Sequence, residues 1–151
     1  MLDNETILGN LETVQHAVKI LAAVVGEPGQ LQWIIREGGI PRLVTLLRSP
    51  SELTQLGATA MLGSLATSQD SCSLIIDSGA LPLLFALLAR TENQAVRKQT
   101  ALAINNLSFS RKVVSFVNSA EQLPPLLLLM DEDDGELQDA ALSTLFNVCL
   151  D

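Results

Sequence analysis

IIREGGIPRLVTLL, residues 34–47, is the stretch that decides the fold, because two related stretches follow it along the chain. They are IDSGALPLLFALL at residues 76–88 and NSAEQLPPLLLLM at residues 118–130. The shared proline is Pro41, Pro82 and Pro124, so the copies lie 41 and 42 residues apart. A fixed period of this length is typical of repeat proteins, in which each repeat is one supersecondary unit.

A second recurring segment lies between these copies and has the same period. It reads VQHAVKILAAVV at residues 14–25, TQLGATAMLGSLA at 54–66, VRKQTALAINNLS at 96–108 and LQDAALSTLFNVC at 137–149. Positions 0, +4 and +7 of the segment fall on one face of a helix, which predicts that they form its buried side. These positions are Ala17, Leu21 and Val24, then Ala58, Leu62 and Leu65, then Thr100, Ile104 and Leu107, and finally Ala141, Leu145 and Val148.

Turn and capping signals divide each unit into three predicted helices. Short first helices are predicted at about residues 31–37, 71–77 and 112–118, the first two followed by glycine. Proline suits the start of a helix, so a second helix is predicted to begin at each of the three prolines. A longer third helix is predicted to begin at capping residues that have Glu or Gln three positions on, namely Ser49, Thr91 and Asp133. Stacked units of this kind bury their apolar faces against one another, which predicts an all-α solenoid.

Composition narrows the class of protein further. The chain has 151 residues, 48% of them hydrophobic, which is enough to build one core. Its net charge of −8 opposes binding to a phosphate backbone, so no nucleic acid is expected as a partner. Its apolar runs are too short to span a membrane, and its N-terminus lacks the pattern of a signal peptide. Cys72 and Cys149 are interpreted as small buried residues of a protein from a reducing compartment, with a cytoplasmic or nuclear location expected.

The recurring segments resemble the armadillo repeat, a three-helix unit of about 42 residues. IIREGGIPRLVTLL and VRKQTALAINNLS are similar to its two consensus stretches. HEAT repeats are the structural alternative, but they lack the short first helix and the Gly-Pro junction. The resemblance implies a right-handed alpha-alpha superhelix that forms one domain over residues 1–151. Its units would be a partial repeat at residues 1–28 and three full repeats at 29–69, 70–110 and 111–151.

The resemblance also implies a ligand site. In the armadillo family the third helices line a concave groove that holds an extended peptide, and an asparagine holds the ligand backbone. That position, +6 in the second segment, is occupied here by Ala23, Ser64, Asn106 and Asn147. With offsets −1 and +2 it forms a stripe separate from the core face. The predicted groove residues are Asn106, Asn147, Ser64, Gln99, Leu102, Ser143, Lys19 and His16.

Several of these residues have alternative roles. Asn106 and Asn147 could instead tie neighbouring helices together. If they hold a ligand, replacing both by alanine is expected to weaken binding and leave folding nearly unchanged. The importin alpha branch places tryptophan four residues before the asparagine, and this chain has none there. Its single tryptophan, Trp33, is interpreted as packed between helices. The acidic run at residues 131–139 is interpreted mainly as helix capping.

Function is therefore predicted to be non-enzymatic binding of a protein or peptide partner. A catalytic site is not expected, because the chain has one histidine, no tyrosine, no phosphate-binding loop and no metal-ligand spacing. No cofactor or metal is expected. The rival prediction rests on the ends of the chain, where no capping helix follows Leu150. They suggest either a fragment of a longer armadillo protein or a module that forms a homodimer through uncapped ends.

Overall fold

The computed structural model describes residues 28–118 and 122–150, and these residues form helices joined by short turns. The helices are α1 (Pro28–Arg36), α2 (Gly39–Leu46), α3 (Glu52–Leu65), α4 (Gln69–Asp77), α5 (Ala80–Arg90), α6 (Gln94–Leu107), α7 (Arg111–Val117), α8 (Leu123–Leu128) and α9 (Gly135–Cys149). A 3-10 turn, Leu129–Asp131, extends α8. The predicted partial repeat at residues 1–28 falls almost entirely outside the described residues.

Three consecutive helices make up each repeat, and the repeats pack through their third helices. α3 contacts α6, and α6 contacts α9, so the three longest helices form a continuous stack. The first and second helices of each repeat lie beside this stack, with α2 against α3 and α5 against α6. The three-helix unit predicted from the period is therefore confirmed.

The turns between the first and second helices of the first two described repeats depend on glycine. Gly38 and Gly79 have φ values of 68° and 83°, in the left-handed region that favours glycine, and each precedes a second helix. Pro41 and Pro82 are the third residues of α2 and α5, so the predicted helix starts were two residues late. Proline is tolerated there because the first turn of a helix has N–H groups without intrahelical partners.

The third helices begin at polar caps that lie one or two residues beyond the predicted ones. The caps are Ser51, Asn93 and Asp134, whose side-chain oxygens accept hydrogen bonds from backbone N–H groups two or three residues on. Ser49 and Thr91 lie in the turn before the cap, where their hydroxyl oxygens accept hydrogen bonds from the N–H groups of the cap residues Ser51 and Asn93. The capping-box assignment was therefore wrong in position, since the spacing to Glu or Gln does not distinguish a cap from the turn before it.

A second bond recurs at each of these helix starts and was not predicted. The side chain of the residue four positions after the cap donates a hydrogen bond to the carbonyl oxygen of the residue two positions before the cap. Gln55 donates to Ser49 at 2.8 Å, Arg97 to Thr91 at 2.7 Å and Gln138 to Glu132 at 2.8 Å. This bond fixes the turn between second and third helices in all three repeats.

The stability that the Asp134 cap contributes is expected to depend on pH. Desolvation alone would raise the pKa of Asp134, but the N–H groups of Leu137 and Glu136 together with Lys98 lower it below its ordinary value of 3.8. Ionised Asp134 therefore stabilises the folded state at pH values above 3.8. This stabilisation is lost as the pH falls through the lower pKa that Asp134 has in the folded state. We expect Asp134→Ala to lower the melting temperature at pH 7, and the gap from wild type to narrow below pH 3.8.

Circular dichroism melts across pH 2–7 measure this gap. Asp133→Ala is the matched control, because Asp133 is exposed and accepts no hydrogen bond from a described residue. An Asp134→Ala gap that stayed constant down to pH 2 would contradict the assignment.

The core is the predicted apolar face of the third helices. Every described member of that face is buried except Leu145, which is half-buried on the last helix of the stack. Cys72 is buried as predicted, but Cys149 is exposed near the end of α9. Trp33 is also exposed, at 62%, so the prediction that it packs between helices was wrong.

Among residues 28–118 and 122–150, no individual helix has the length and apolar character needed to cross a membrane. α4 and α5 taken together meet both criteria but bend by 78° where they join.

Candidate functional site

The predicted groove residues that the structure describes lie at matching positions on the stacked third helices. Ser64 is on α3, and it is exposed; the others are half-buried. Those others are Gln99, Leu102 and Asn106 on α6, and Ser143 and Asn147 on α9. His16 and Lys19 lie outside the described residues. The stripe thus has members on the third helix of all three described repeats.

Asn106 is anchored to the preceding repeat. Its Nδ2 donates a hydrogen bond of 3.0 Å to the carbonyl oxygen of Gly63 on α3. The two helices pack side by side at this point, where a Cβ atom at Gly63 would be in ordinary van der Waals contact, 3.6 Å from Ala103 of α6. One N–H of this amide therefore ties the first described repeat to the second.

Asn147 makes the equivalent connection through an intermediate hydroxyl. Its Nδ2 donates to Ser108 Oγ at 2.8 Å, and Ser108 Oγ donates to the carbonyl oxygen of Asn105 at 2.6 Å. Asn105 holds the position on α6 that Gly63 holds on α3. The hydroxyl of Ser108 therefore lies between the amide of Asn147 and the carbonyl oxygen of Asn105.

These bonds favour the alternative that the two asparagines link neighbouring helices. They use only part of each amide, because an asparagine offers two N–H donors and an oxygen with two lone pairs. Within the described part of the chain, the Oδ1 atoms of Asn106 and Asn147 accept no hydrogen bond. Each side chain is thus held in place by one N–H while its oxygen stays available.

The other stripe residues differ in chemistry. Ser64 is turned toward its own helix, where its hydroxyl donates to the carbonyl oxygen of Ala60 at 3.0 Å. Leu102 packs partly against the core, so it presents a half-buried apolar surface beside Asn106. The stripe therefore combines small, apolar and amide side chains and carries no charge on its described members.

Charges lie near the amino ends of the third helices instead. Lys98 pairs with Glu136 and lies 3.5 Å from Asp134 Oδ2, and Arg97 pairs with Glu132. The hydrogen bond to Glu136 raises the pKa of Lys98 above its ordinary value. Part of the acidic run thus joins α6 to the last repeat. Capping was confirmed only for Asp134, and sequence reasoning missed the ion pairs because their partners lie a repeat apart.

A cavity of about 350 Å³ opens beside the stripe at the carboxyl ends of α3 and α6. Asn106 and Cys72 line it, and Phe109 stands at it with 76% of its surface exposed. Sequence reasoning missed Phe109, because the residue lies in the turn after α6 and outside every repeated position considered. In the described residues, no group of three or more His, Cys, Asp or Glu is placed to hold a metal ion.

The chain is similar to known repeat proteins. The family Armadillo/beta-catenin-like repeat matches residues 27–67 and 68–109 as two consecutive units. Importin subunit alpha-1a of Oryza sativa subsp. japonica is 33% identical over 88 residues, covering 58% of this chain and 17% of the importin. Vacuolar protein 8 of Candida albicans is 34% identical over 110 residues, covering 72% of this chain and 19% of its own length. The chain therefore spans about a fifth of the length of such relatives.

Solved structures give the same fold. A computationally designed armadillo repeat protein for modular peptide recognition has a TM-score of 0.79 and 27% identity, covering 90% of this chain and 58% of that one. A designed armadillo repeat protein in complex with the peptide (KR)4 has a TM-score of 0.79 and 26% identity, covering 91% and 58%. The predicted all-α right-handed superhelix is confirmed by these similarities.

Proposed function

The chain belongs to the Armadillo/beta-catenin-like repeat family, and from this premise we propose that it is a non-enzymatic binding module for an extended segment of a protein partner. The binding surface is the stripe on α3, α6 and α9 that contains Ser64, Leu102, Asn106, Ser143 and Asn147. The chain acts in the cytoplasm or nucleus, and nucleic acid is not its ligand.

One observation carries this proposal: the amide oxygens of Asn106 and Asn147 recur one repeat apart, each held by a hydrogen bond through its own nitrogen. An extended peptide presents backbone N–H groups at regular intervals, and these need acceptors when they leave water. Two fixed acceptors in a row meet that need at little entropic cost. The likeness to a designed relative in complex with a peptide adds support.

Selection from a displayed peptide library, followed by fluorescence anisotropy with the enriched peptide, tests the proposal. We expect Ser64→Arg, which places a long side chain on the exposed stripe, to weaken peptide binding at least tenfold without changing the melting temperature. Ser115→Arg on α7 is the matched control, because Ser115 is also exposed and its hydroxyl also bonds to a carbonyl four residues earlier. Equal binding by the two variants and the wild type would contradict the groove, as would the absence of any enriched peptide.

A second candidate function is self-association, which the outer side of α9 favours. Leu142, Phe146 and Leu150 are spaced by four residues and are 49%, 63% and 69% exposed. Such an apolar stripe is typical of a surface that another helix covers. Light scattering of the wild type and Phe146→Asp distinguishes the candidates: a dimer that the substitution dissociates supports self-association, and a monomer at all concentrations excludes it.

A further inference from the structure

The cavity at the carboxyl ends of α3 and α6 is large enough to admit a side chain of a bound segment. Its volume of about 350 Å³ is near the lower end of ligand pockets, which run from roughly 300 to 1,000 Å³. The turn between α3 and α4 forms one wall, and the end of α6 forms the other. Its lining consists of Ala66, Thr67, Ser68, Gln69, Cys72, Asn106, Phe109 and Ser110.

None of these lining residues carries a charge, in a protein whose net charge is −8. Cys72 contributes a neutral thiol, because burial raises the pKa of the Cys72 thiol and its sulfur donates to the carbonyl oxygen of Asn106 at 3.9 Å. A charged side chain that entered the cavity would lose water and gain no counter-charge from the lining, which is unfavourable. The cavity therefore selects for uncharged groups.

Phe109 gives the cavity an apolar edge that local structure holds in place. Its neighbour Ser108 is buried at 1% exposure and bonds to both Asn105 and Asn147. On the other side, Ser110 donates its N–H to the carbonyl oxygen of Leu107 and precedes α7. The backbone on both sides of Phe109 is thus fixed while its ring stays in water. An exposed aromatic ring of this kind gains most when a ligand covers it.

Asn106 connects this cavity to the binding stripe. The residue lines the cavity and also holds its amide oxygen available on the stripe, one N–H being anchored on Gly63. A ligand backbone that donates to Asn106 Oδ1 would therefore have its adjacent side chain at the cavity mouth. Asn106 would therefore take part in recognising both the backbone and one side chain of the ligand.

We propose that this cavity is the anchor subsite of the groove and takes an uncharged aromatic or branched aliphatic side chain of the bound protein segment. The ring of that side chain or its branched carbons cover Phe109 and contact Ala66 and Cys72. The inference rests on the proposed function, because it names the chemistry of a ligand for the same groove. It specifies a partner whose decisive residue is apolar.

The first test uses an enriched peptide and its variants in fluorescence anisotropy. We expect one position of the peptide to be apolar, and replacement of that residue by alanine or lysine to weaken binding at least tenfold. Phe109→Ala is expected to cause a loss of the same order. Trp33→Ala is the matched control, since Trp33 is a comparably exposed aromatic residue that does not line the cavity.

A second measurement locates the ligand. In a Cys149→Ser background, Thr67→Cys places an accessible thiol on the cavity wall, and Thr45→Cys places one on α2 outside it; both threonines are exposed. We expect saturating peptide to slow alkylation by N-ethylmaleimide at least fivefold at position 67 and to leave position 45 unchanged. Mass spectrometry of the intact chain follows both rates.

The outcomes separate the two proposals. Suppose that a peptide binds the wild type but not Ser64→Arg, and that its binding neither depends on Phe109 nor protects position 67 from alkylation. That result overturns the anchor subsite and leaves the proposed groove intact. The same holds if the decisive peptide residue is charged. A library that yields no peptide sensitive to Ser64→Arg overturns the proposed function itself.

Discussion

Leu62→Ala is expected to lower the free energy of unfolding by about 2–5 kcal/mol, the range for deleting a fully buried leucine side chain. Leu62 is 1% exposed and lies in the last turn of α3, on the face that the rest of the core covers. Because neighbouring repeats hold the surrounding side chains, the space left by the missing carbons cannot collapse fully. Urea denaturation followed by circular dichroism measures the loss.

Leu145→Ala is the matched control for this prediction. Leu145 occupies the same position in the last repeat, and the sequence alone predicts the same cost for both substitutions. The structure changes that expectation, because Leu145 is only half-buried. We expect Leu145→Ala to cost clearly less than Leu62→Ala. Equal losses would mean that Leu145 is covered in solution, as it would be in a self-associated form.

The repeat architecture could be predicted from the sequence because it depends on periodic properties. A period of 41 or 42 residues, shared by the prolines and by the apolar face, defines the unit and its buried side. The residues at which the third helices begin were harder to predict. Ser49 and Ser51 are both good capping residues, and the backbone conformation of the turn decides which of them caps α3.

Exposure at individual positions was harder to predict than the core. Trp33 and Cys149 are residue types that are often buried, yet each lies on an outward side of a helix in the described structure. Trp33 lies outside the repeated third-helix segment, and Cys149 lies within it at an apolar-patterned position, although not on the 0, +4 and +7 face. Residue type and apolar surroundings therefore gave the wrong prediction at these two positions.

The connections between repeats could not be predicted because they depend on how closely two helices approach. The bond from Asn106 reaches the carbonyl oxygen of Gly63 on the helix of the preceding repeat. The bond from Asn147 reaches α6 through the hydroxyl of Ser108, which in turn donates to the carbonyl oxygen of Asn105. A repeat alignment places both asparagines at one position and gives no information on the different partners they contact.

Asn106→Ala is therefore expected to lower the free energy of unfolding by about 1–3 kcal/mol, the penalty for leaving a buried polar group without its partner. Gly63 is buried, and the amide of Asn106 donates to its carbonyl oxygen across the repeat boundary. This differs from the expectation, based on sequence, that folding would hardly change. Chemical denaturation of the variant measures the loss, and an unchanged midpoint would contradict the structural role.

Asn147→Ala provides the comparison that separates stability from binding. Ser108 keeps its own hydrogen bond to Asn105 when the Asn147 amide is removed, so no carbonyl oxygen loses its donor. We expect a stability loss of about 0.5–1.5 kcal/mol, the net value of one hydrogen bond, and thus smaller than that of Asn106→Ala. If both asparagines also accept from a bound peptide, the two variants should lose similar affinity despite their unequal stabilities. Affinity losses that instead follow the stability losses would mean that the amides act only as ties between repeats.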